Sequence, residues 1–136
     1  MIGVIICTHN QLAEGLKGAA EMIIGKQEDL IALSFNNGDS IDSLVEKMTA
    51  VISDFEKRGL HYVFLVDLFG ASPFNAAMIS SVGKNTSIVS GVNLGFVLEL
   101  LMQREEFKEG SLENFIDEII EYLGPIQQTK SLPIAD

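Results

Sequence analysis

The chain alternates between short apolar runs and longer segments in which apolar residues recur at helical spacing. Short runs rich in apolar and β-branched residues are typical of strands buried in a parallel sheet. Four such runs predict strands, at residues 2–7, 30–35, 62–66 and 86–90. Amphipathic spacing predicts five helices, at residues 11–24, 41–57, 73–82, 94–107 and 111–124.

The alternation of strand and helix predicts an α/β fold: a doubly wound, mainly parallel four-stranded sheet with helices on both faces. By analogy with other open parallel sheets, we expect the strand order 2-1-3-4, in which the first and third strands are neighbours. Ligands bind such sheets beyond the carboxyl ends of the strands, where the strand order reverses. Residues that follow the first and third strands are therefore the first candidates for function.

Capping residues mark several of the predicted helix ends. Gly25 and Gly59 stand where a helix C-terminus favours a left-handed residue. Pro73 suits the first turn of the third helix, and Ser72 before it is expected to be the N-cap. Ser111 is expected to cap the last helix.

Length, charge and cysteine content narrow the class of protein. The 136 residues suit a single domain. A formal net charge of −10 argues against nucleic-acid binding, which needs basic residues to replace counterions, and against binding to an anionic membrane surface. The single cysteine, Cys7, excludes an internal disulfide and a Cys-rich metal site, and two histidines leave little for a metal cage.

Targeting and cofactor signals are missing from the sequence. It has no secretion signal and no apolar stretch of the ~18 residues that a membrane span needs, so a cytoplasmic protein is expected. It also lacks the phosphate-loop, dinucleotide-binding and zinc spacings. We therefore expect neither a cofactor nor a metal ion.

His9 is the first candidate for chemistry, because it comes directly after a buried strand and just before a helix. Free backbone N–H groups at a helix N-terminus attract anions, phosphate included. Neutral imidazole is abundant near neutral pH and is a competent nucleophile. A polar loop residue without function is the alternative interpretation of His9.

Asp67 ends the third strand and has two interpretations. It is either a turn or helix cap, or a partner that accepts a hydrogen bond from one ring nitrogen of His9 and leaves the other free to attack. The second interpretation requires the first and third strands to be neighbours. The predicted strand order meets that requirement.

Four further residues are candidates for contacts with phosphate. Gly70 suits a positive φ or a close backbone approach, and the Ser72 hydroxyl suits either helix capping or phosphate oxygens. Thr8 and Asn10 flank His9 at the strand end. His61 precedes the third strand, at the opposite end of the sheet, and is expected to be a surface histidine.

Three segments together resemble a known family: residues 5–9, 66–77 and 90–94. They are similar to the IIA component of mannose-family sugar phosphotransferase systems, and the likeness extends from Met1 to about Tyr122. The Asp-x-x-Gly-x-Ser-Pro-x-Asn pattern that begins at Asp67 is its most specific part. Ala71 stands where many relatives carry a second glycine.

The resemblance implies a phosphotransferase component that works through a phosphohistidine. His9 would accept a phosphoryl group from the phosphocarrier protein HPr and pass it to a IIB protein, while Asp67 holds the imidazole ring. The IIB protein would serve a membrane permease, the IIC and IID components, so that this chain meets the permease only indirectly.

The resemblance also implies a homodimer in which each chain gives a C-terminal strand to its partner's sheet. Here that antiparallel strand would come from about Gln128 to Ile134. The expected organisation is thus a IIA domain at residues 1–125 and a tail at residues 126–136 that contains the swapped strand.

Three alternatives remain open at the level of sequence. One is the phosphoryl-transfer subunit of a dihydroxyacetone kinase, which has a strand-end histidine but typically lacks the run from Ser72 to Asn75. Another is a non-catalytic regulatory or binding module on the same fold. The last is a flavin or nucleotide binder, for which the sequence has no phosphate-loop fingerprint.

Overall fold

A computed structural model describes residues 1–124 and 127–134. Its centre is a four-stranded parallel sheet in the order β2-β1-β3-β4. The strands are β1 (Ile2–His9), β2 (Leu30–Phe35), β3 (His61–Val66) and β4 (Ser87–Val89). The predicted α/β fold and the strand order 2-1-3-4 are therefore confirmed.

Helices cover both faces of the sheet, as the alternation predicts. They are α1 (Leu12–Ile24), α2 (Ile41–Lys57), α3 (Ser72–Ser80), α4 (Leu94–Gln103) and α5 (Leu112–Leu123), with a 3-10 turn at Arg104–Glu106. One core joins the sheet to α1, α4 and α5, and a second core joins it to α2 and α3. Such two-sided burial explains why the strands are continuous apolar runs.

β1 lies at the centre of the sheet and contributes to both cores. Ile2, Val4 and Ile6 pack with α1, α4 and α5, whereas Ile5 and Cys7 pack with α2 and α3. The division follows from the period of two, which sends successive side chains to opposite faces. Every residue of β1 before His9 is buried, so His9 is the point where the strand reaches solvent.

The third helix begins one residue earlier than the sequence predicts. Ser72 is its first helical residue, and Ala71 is the N-cap. The prediction that Ser72 is the N-cap is therefore wrong. The reason is that the Ala71 carbonyl already accepts the first helical hydrogen bond, from the Asn75 N–H at 2.9 Å.

The fourth helix ends at Gln103 rather than continuing to residue 107, because the chain turns inward at Arg104. Only 3% of Arg104 is exposed, and its guanidinium donates to the carbonyls of Ile2 (3.2 Å) and Glu28 (2.6 Å). A buried charge must be hydrogen-bonded to be tolerated. Arg104 therefore ties the start of β1 to the loop before β2, at the end of the sheet away from His9.

The described part of the C-terminal tail has no regular structure in the single chain. Residues 127–134 form neither helix nor strand, and the boundary that the sequence predicts between residues 125 and 126 lies outside the described residues.

Within residues 1–124 and 127–134, the helices are too short or too polar to cross a membrane.

Gly3 in β1 provides a test of the packing between sheet and α2. A Cβ atom at Gly3 would lie 2.6 Å from Cε2 of Phe55, whose ring is buried. Overpacking of this kind costs about 1–3 kcal/mol, so Gly3→Ala is expected to lower the free energy of unfolding by that amount in urea titrations. Gly18→Ala on α1, where an added Cβ meets no atom within 4 Å, is the control and should not destabilise.

Phe55→Leu in the Gly3→Ala background should restore part of the lost stability, since it removes the ring atoms that the new methyl group meets. Equal stability of Gly3→Ala and the wild-type protein would contradict this account of the packing.

Candidate functional site

His9 and Asp67 meet where the strand order reverses. β1 ends at His9, and Asp67 follows directly after β3. The two strands are parallel neighbours, and Cys7 opposite Val66 is the last pair of their ladder. The carboxyl ends of β1 and β3 are therefore side by side, which is where open parallel sheets bind their ligands.

One carboxylate oxygen of Asp67 holds His9 in two ways. Asp67 Oδ2 accepts a hydrogen bond from the His9 backbone N–H at 3.0 Å and lies 2.8 Å from Nδ1 of the imidazole. The other oxygen, Oδ1, accepts from the Leu68 backbone N–H at 3.0 Å. The carboxylate is thus fixed from three directions.

The contact with Asp67 decides which ring nitrogen of His9 is available. An ionised carboxylate only accepts hydrogen bonds, so a neutral imidazole makes this contact by donating from Nδ1–H. The lone pair then resides on Nε2. Since 45% of the His9 side chain but only 13% of the Asp67 side chain is exposed, a second molecule has access to the ring while the carboxylate stays shielded.

Asp67 is ionised at neutral pH. Partial burial raises the pKa of its carboxyl group, but the hydrogen bonds from the backbone and ring of His9 and from the backbone of Leu68 outweigh it, so the pKa lies below its ordinary value. Asp67 therefore carries the negative charge that an imidazolium or a ring with a proton on Nδ1 prefers as a neighbour.

On the side away from Asp67, the neighbour of His9 is the end of β2. The rings of His9 and Phe35 meet edge to face, with centroids 6.1 Å apart and planes at 89°. Both residues line an open cleft of about 590 Å³ whose other walls are Asn10 and the loop at residues 36–39. The sequence does not mark Phe35 as a site residue; the pairing of β1 with β2 places it opposite His9.

Asn10 has a special backbone conformation beside His9. Its φ of 53° lies in the left-handed region, which Asn tolerates better than most residues. Its backbone N–H donates to the Phe35 carbonyl at 2.8 Å. The backbone N–H of Asn10 is therefore used within the protein, and Asn10 is one of the residues that line the cleft.

Thr8 differs from the other predicted phosphate contacts because it is fully buried. Its hydroxyl accepts from the Ala13 backbone N–H at 2.7 Å and donates to the His9 carbonyl at 3.1 Å. The hydroxyl thus both accepts and donates a hydrogen bond inside the protein.

Gly70 and Ser72 lie in the segment that leads from Asp67 into α3. Gly70 has a φ of 78°, as its predicted role requires, and its carbonyl accepts from Nδ2 of Asn75 at 3.2 Å. Ser72 is half-buried in the first turn of α3. Before them, Phe69 is 79% exposed and rests on the ring of Phe74, with centroids 4.6 Å apart.

Cys7 and His61, the cysteine and the second histidine of the sequence, are not part of this site. Cys7 is buried, and that burial, followed by the nearby charge of Asp67, raises the pKa of its thiol to about 12, so it is an unreactive part of the core. His61 begins β3 at the other end of the sheet and packs edge to face on Phe107 at 5.0 Å. In the described part of the chain, His, Cys, Asp and Glu side chains form no group of three or more suited to a metal ion.

The lowered pKa of Asp67 predicts how stability depends on pH. In the wild-type protein, the stabilisation from this carboxylate is complete above its unfolded pKa of about 3.9 and is lost as pH falls through the lower native value. Asp67→Asn lacks this ionisation. We expect the wild-type protein to be more stable than Asp67→Asn by roughly 1–3 kcal/mol at pH 6, and the difference to shrink below about pH 4.

Urea titrations at a series of pH values measure this difference. Asp42→Asn removes an exposed carboxylate in the first turn of α2 and is the control for a general change of charge. A stability difference for Asp67→Asn that stays constant from pH 6 to pH 3 would count against the ionised hydrogen bond.

Comparison with known proteins identifies the family of the chain. The model of the family EIIA-man, described as "PTS system fructose IIA component", matches residues 3–120. The fructose-specific EIIA component of Bacillus subtilis (strain 168) is 36% identical over 115 residues, which are 84% of this chain and 78% of that protein.

Two further relatives extend the comparison. The mannose-specific EIIAB component of Escherichia coli (strain K12) is 37% identical over 107 residues; these are 77% of this chain but 32% of that protein, so the chain spans about a third of its length. A crystal structure of phosphotransferase system component EIIA from Streptococcus agalactiae superposes with a TM-score of 0.80 and 28% identity, covering 89% of this chain and 91% of that one. The chain belongs to the EIIA-man family of phosphotransferase-system IIA components.

Proposed function

We propose that this chain is a phosphoryl carrier of a phosphoenolpyruvate-dependent sugar phosphotransferase system, with His9 as the residue that is phosphorylated. The observation that carries the proposal is the 2.8 Å contact between His9 Nδ1 and Asp67 Oδ2 at the exposed end of β1. It leaves Nε2 as the nucleophile in a ring whose other nitrogen is held. The sugar-system relatives in the family support the same role.

In the proposed step, the lone pair of Nε2 attacks the phosphorus of a phosphohistidine on HPr. A new N–P bond forms at His9, and the N–P bond to HPr breaks with its electron pair returning to the donor's ring. The proton on Nδ1 stays between the ring and Asp67, whose charge stabilises the positive imidazole that results. Transfer to a IIB protein is the same displacement with His9 as the leaving group.

The transferred phosphoryl group needs donors for its oxygens, since phosphoryl transfer depends on positioning and charge stabilisation. The backbone N–H groups of Asn10 and Ala13 are already used within the protein. We therefore assign this role to the segment after Asp67, with the Ser72 hydroxyl and the left-handed turn at Gly70, and to the side chain of Asn10, which follows His9 and lines the same cleft.

HPr and the IIB protein are the proposed partners, and both would meet the same exposed imidazole in turn. Leu68 and Phe69 follow Asp67 and are 58% and 79% exposed, so an apolar rim lies beside the reacting ring. Apolar and aromatic side chains at the centre of an interface are typical of protein docking. The permease would be reached only through IIB, and the proposed setting is the cytoplasm.

Phosphorylation in vitro tests the carrier role. The protein is mixed with phosphoenolpyruvate, enzyme I and HPr, and acid-labile phosphate is located by mass spectrometry. We expect phosphate on His9 in the wild-type protein and none in His9→Ala. We expect Asp67→Asn to be phosphorylated about 10- to 100-fold more slowly, because its neutral amide no longer holds the ring or stabilises its charge.

His61→Ala is the matched control, since it removes the other histidine of the chain and should leave the rate unchanged. Absence of phosphate on His9, with HPr shown to phosphorylate a known carrier, would overturn the proposal and favour a binding module.

We further propose that the chain is a homodimer in which the tail at residues 128–134 adds an antiparallel strand to β4 of the partner. Support comes from β4, which is paired on one side with β3 and has a groove on each face of its other edge. One groove, of about 500 Å³, lies against α5, and the other, of about 390 Å³, lies against Phe69 and Phe74.

The tail carries two apolar side chains that would be buried if it paired with the free edge of β4. Leu132 and Ile134 are 77% and 94% exposed in the single chain, and residues two apart point to the same face of a strand. One groove beside β4 would therefore take both side chains.

Sedimentation equilibrium tests the dimer. We expect the wild-type protein to have twice the mass of the chain and Leu132→Asp with Ile134→Asp to be a monomer, because burying two carboxylates without partners is costly. Gln127→Asp, just before the proposed strand, is the control and should remain dimeric. A monomeric wild-type protein, or a dimeric double variant, would contradict the proposal.

A further inference from the structure

Thr8 and Arg104 are the polar or charged side chains that are buried in the described residues, and only Thr8 is beside the site. Thr8 is an even-numbered residue of β1, so its side chain faces the same core as Ile6 and α1. A hydroxyl buried among apolar groups is tolerated only if it is hydrogen-bonded. The two groups to which the Thr8 hydroxyl is hydrogen-bonded therefore indicate its structural role.

The first of these hydrogen bonds caps α1 from outside the helix. The N-cap residue Gln11 makes no side-chain hydrogen bond to the first turn. The Thr8 hydroxyl instead accepts from the N–H of Ala13, the second helical residue, at 2.7 Å. That N–H is one of the groups that a helix leaves without an internal partner.

The second hydrogen bond reaches the peptide of His9. The Thr8 hydroxyl donates to the His9 carbonyl at 3.1 Å, while the His9 N–H donates to Asp67. Both backbone polar groups of His9 are therefore held, one by Thr8 and one by Asp67. Only Asn10 and Gln11 separate β1 from α1, so the Thr8 hydroxyl joins strand end, His9 and helix start through a single atom.

We propose that Thr8 is a positioning residue for phosphoryl transfer at His9, and that it acts through its hydroxyl rather than by touching phosphate. The effect of Thr8 on the rate of phosphorylation rests on the proposed function, because it requires that His9 accepts phosphate. The effect of Thr8 on the position of the His9 ring does not. Without the hydroxyl, the His9 carbonyl and the Ala13 N–H lose this hydrogen bond. The backbone at His9 is then held by Asp67 on one side and by the Asn10 N–H bond to Phe35 on the other, with nothing tying it to the start of α1 through Thr8.

Three variants separate the hydroxyl from general stability. Thr8→Val keeps the shape of the side chain and removes the hydroxyl, whereas Thr8→Ser keeps the hydroxyl and removes the methyl group. Ser111→Ala is the matched control, because the Ser111 hydroxyl accepts from the Asn114 N–H at 3.1 Å and caps α5, which follows the Arg104 turn at the end of the sheet away from His9. Thermal unfolding measures how far each variant is destabilised.

The kinetic measurement is the rate of His9 phosphorylation at several concentrations of phosphorylated HPr. We expect Thr8→Val to lower the rate at saturating donor by about tenfold or more, with little change in the donor concentration at half the maximal rate, because orientation rather than docking is lost. Thr8→Ser and Ser111→Ala should stay close to the wild-type rate. A wild-type rate in Thr8→Val, or an equal loss in Thr8→Ser or Ser111→Ala, would overturn the proposal.

A donor-independent measurement is the nitrogen NMR spectrum of the His9 ring. The wild-type protein should show the proton mainly on Nδ1, held by Asp67, and Thr8→Val should show more exchange between the two tautomers. Unchanged ring-nitrogen shifts in Thr8→Val would overturn the positioning role. Wild-type protein that accepts no phosphoryl group would instead overturn the proposed function, and the spectrum would still decide the role of Thr8.

Discussion

The site depends on a single carboxylate oxygen placed between two parallel strands. Beyond the last ladder pair of β1 and β3, the side chain of Asp67 takes over the contact and accepts from both the backbone and the ring of His9. One group therefore extends the contact between the two strands by one residue and orients the imidazole. Because partial burial is outweighed by these hydrogen bonds, the group keeps its charge at neutral pH.

The two ends of the sheet are built differently. At the end where the strands begin, Arg104 is buried and bonded to carbonyls, and His61 packs on Phe107. At the end where the strands finish, His9 and Phe69 are exposed. The open edge gives a second molecule access to the His9 ring, while the core below it stays buried.

Much of this architecture follows from the sequence, because hydrophobic periodicity and helix caps are local signals. The apolar run before His9 predicts a central strand, and the strand order that brings Asp67 to it follows from how such sheets are wound. The start of the third helix at Ser72 depends on which carbonyl receives the first helical bond, a choice of one residue that composition does not determine.

Other features depend on distant contacts and are not visible in local patterns. Phe35 is an ordinary apolar strand end until the register of β2 with β1 places it against His9. Thr8 looks like a polar residue at a strand end, and only its side in the pleat shows that the hydroxyl points inward to Ala13. Arg104 lies in an amphipathic pattern that would continue the helix, but its carbonyl partners come from residues more than 70 positions earlier.

The separation of His9 and Asp67 along the chain has a consequence for folding. They are 58 residues apart and meet only when β3 docks on β1; α1, β2 and α2 lie between them in the chain. Loop closure of this length is an entropic cost that local structure does not repay, and non-local pairing is the slow part of folding. A chain that has formed only β1, α1 and β2 therefore has an imidazole but no carboxylate beside it, and the complete pair is a property of molecules whose third strand has docked.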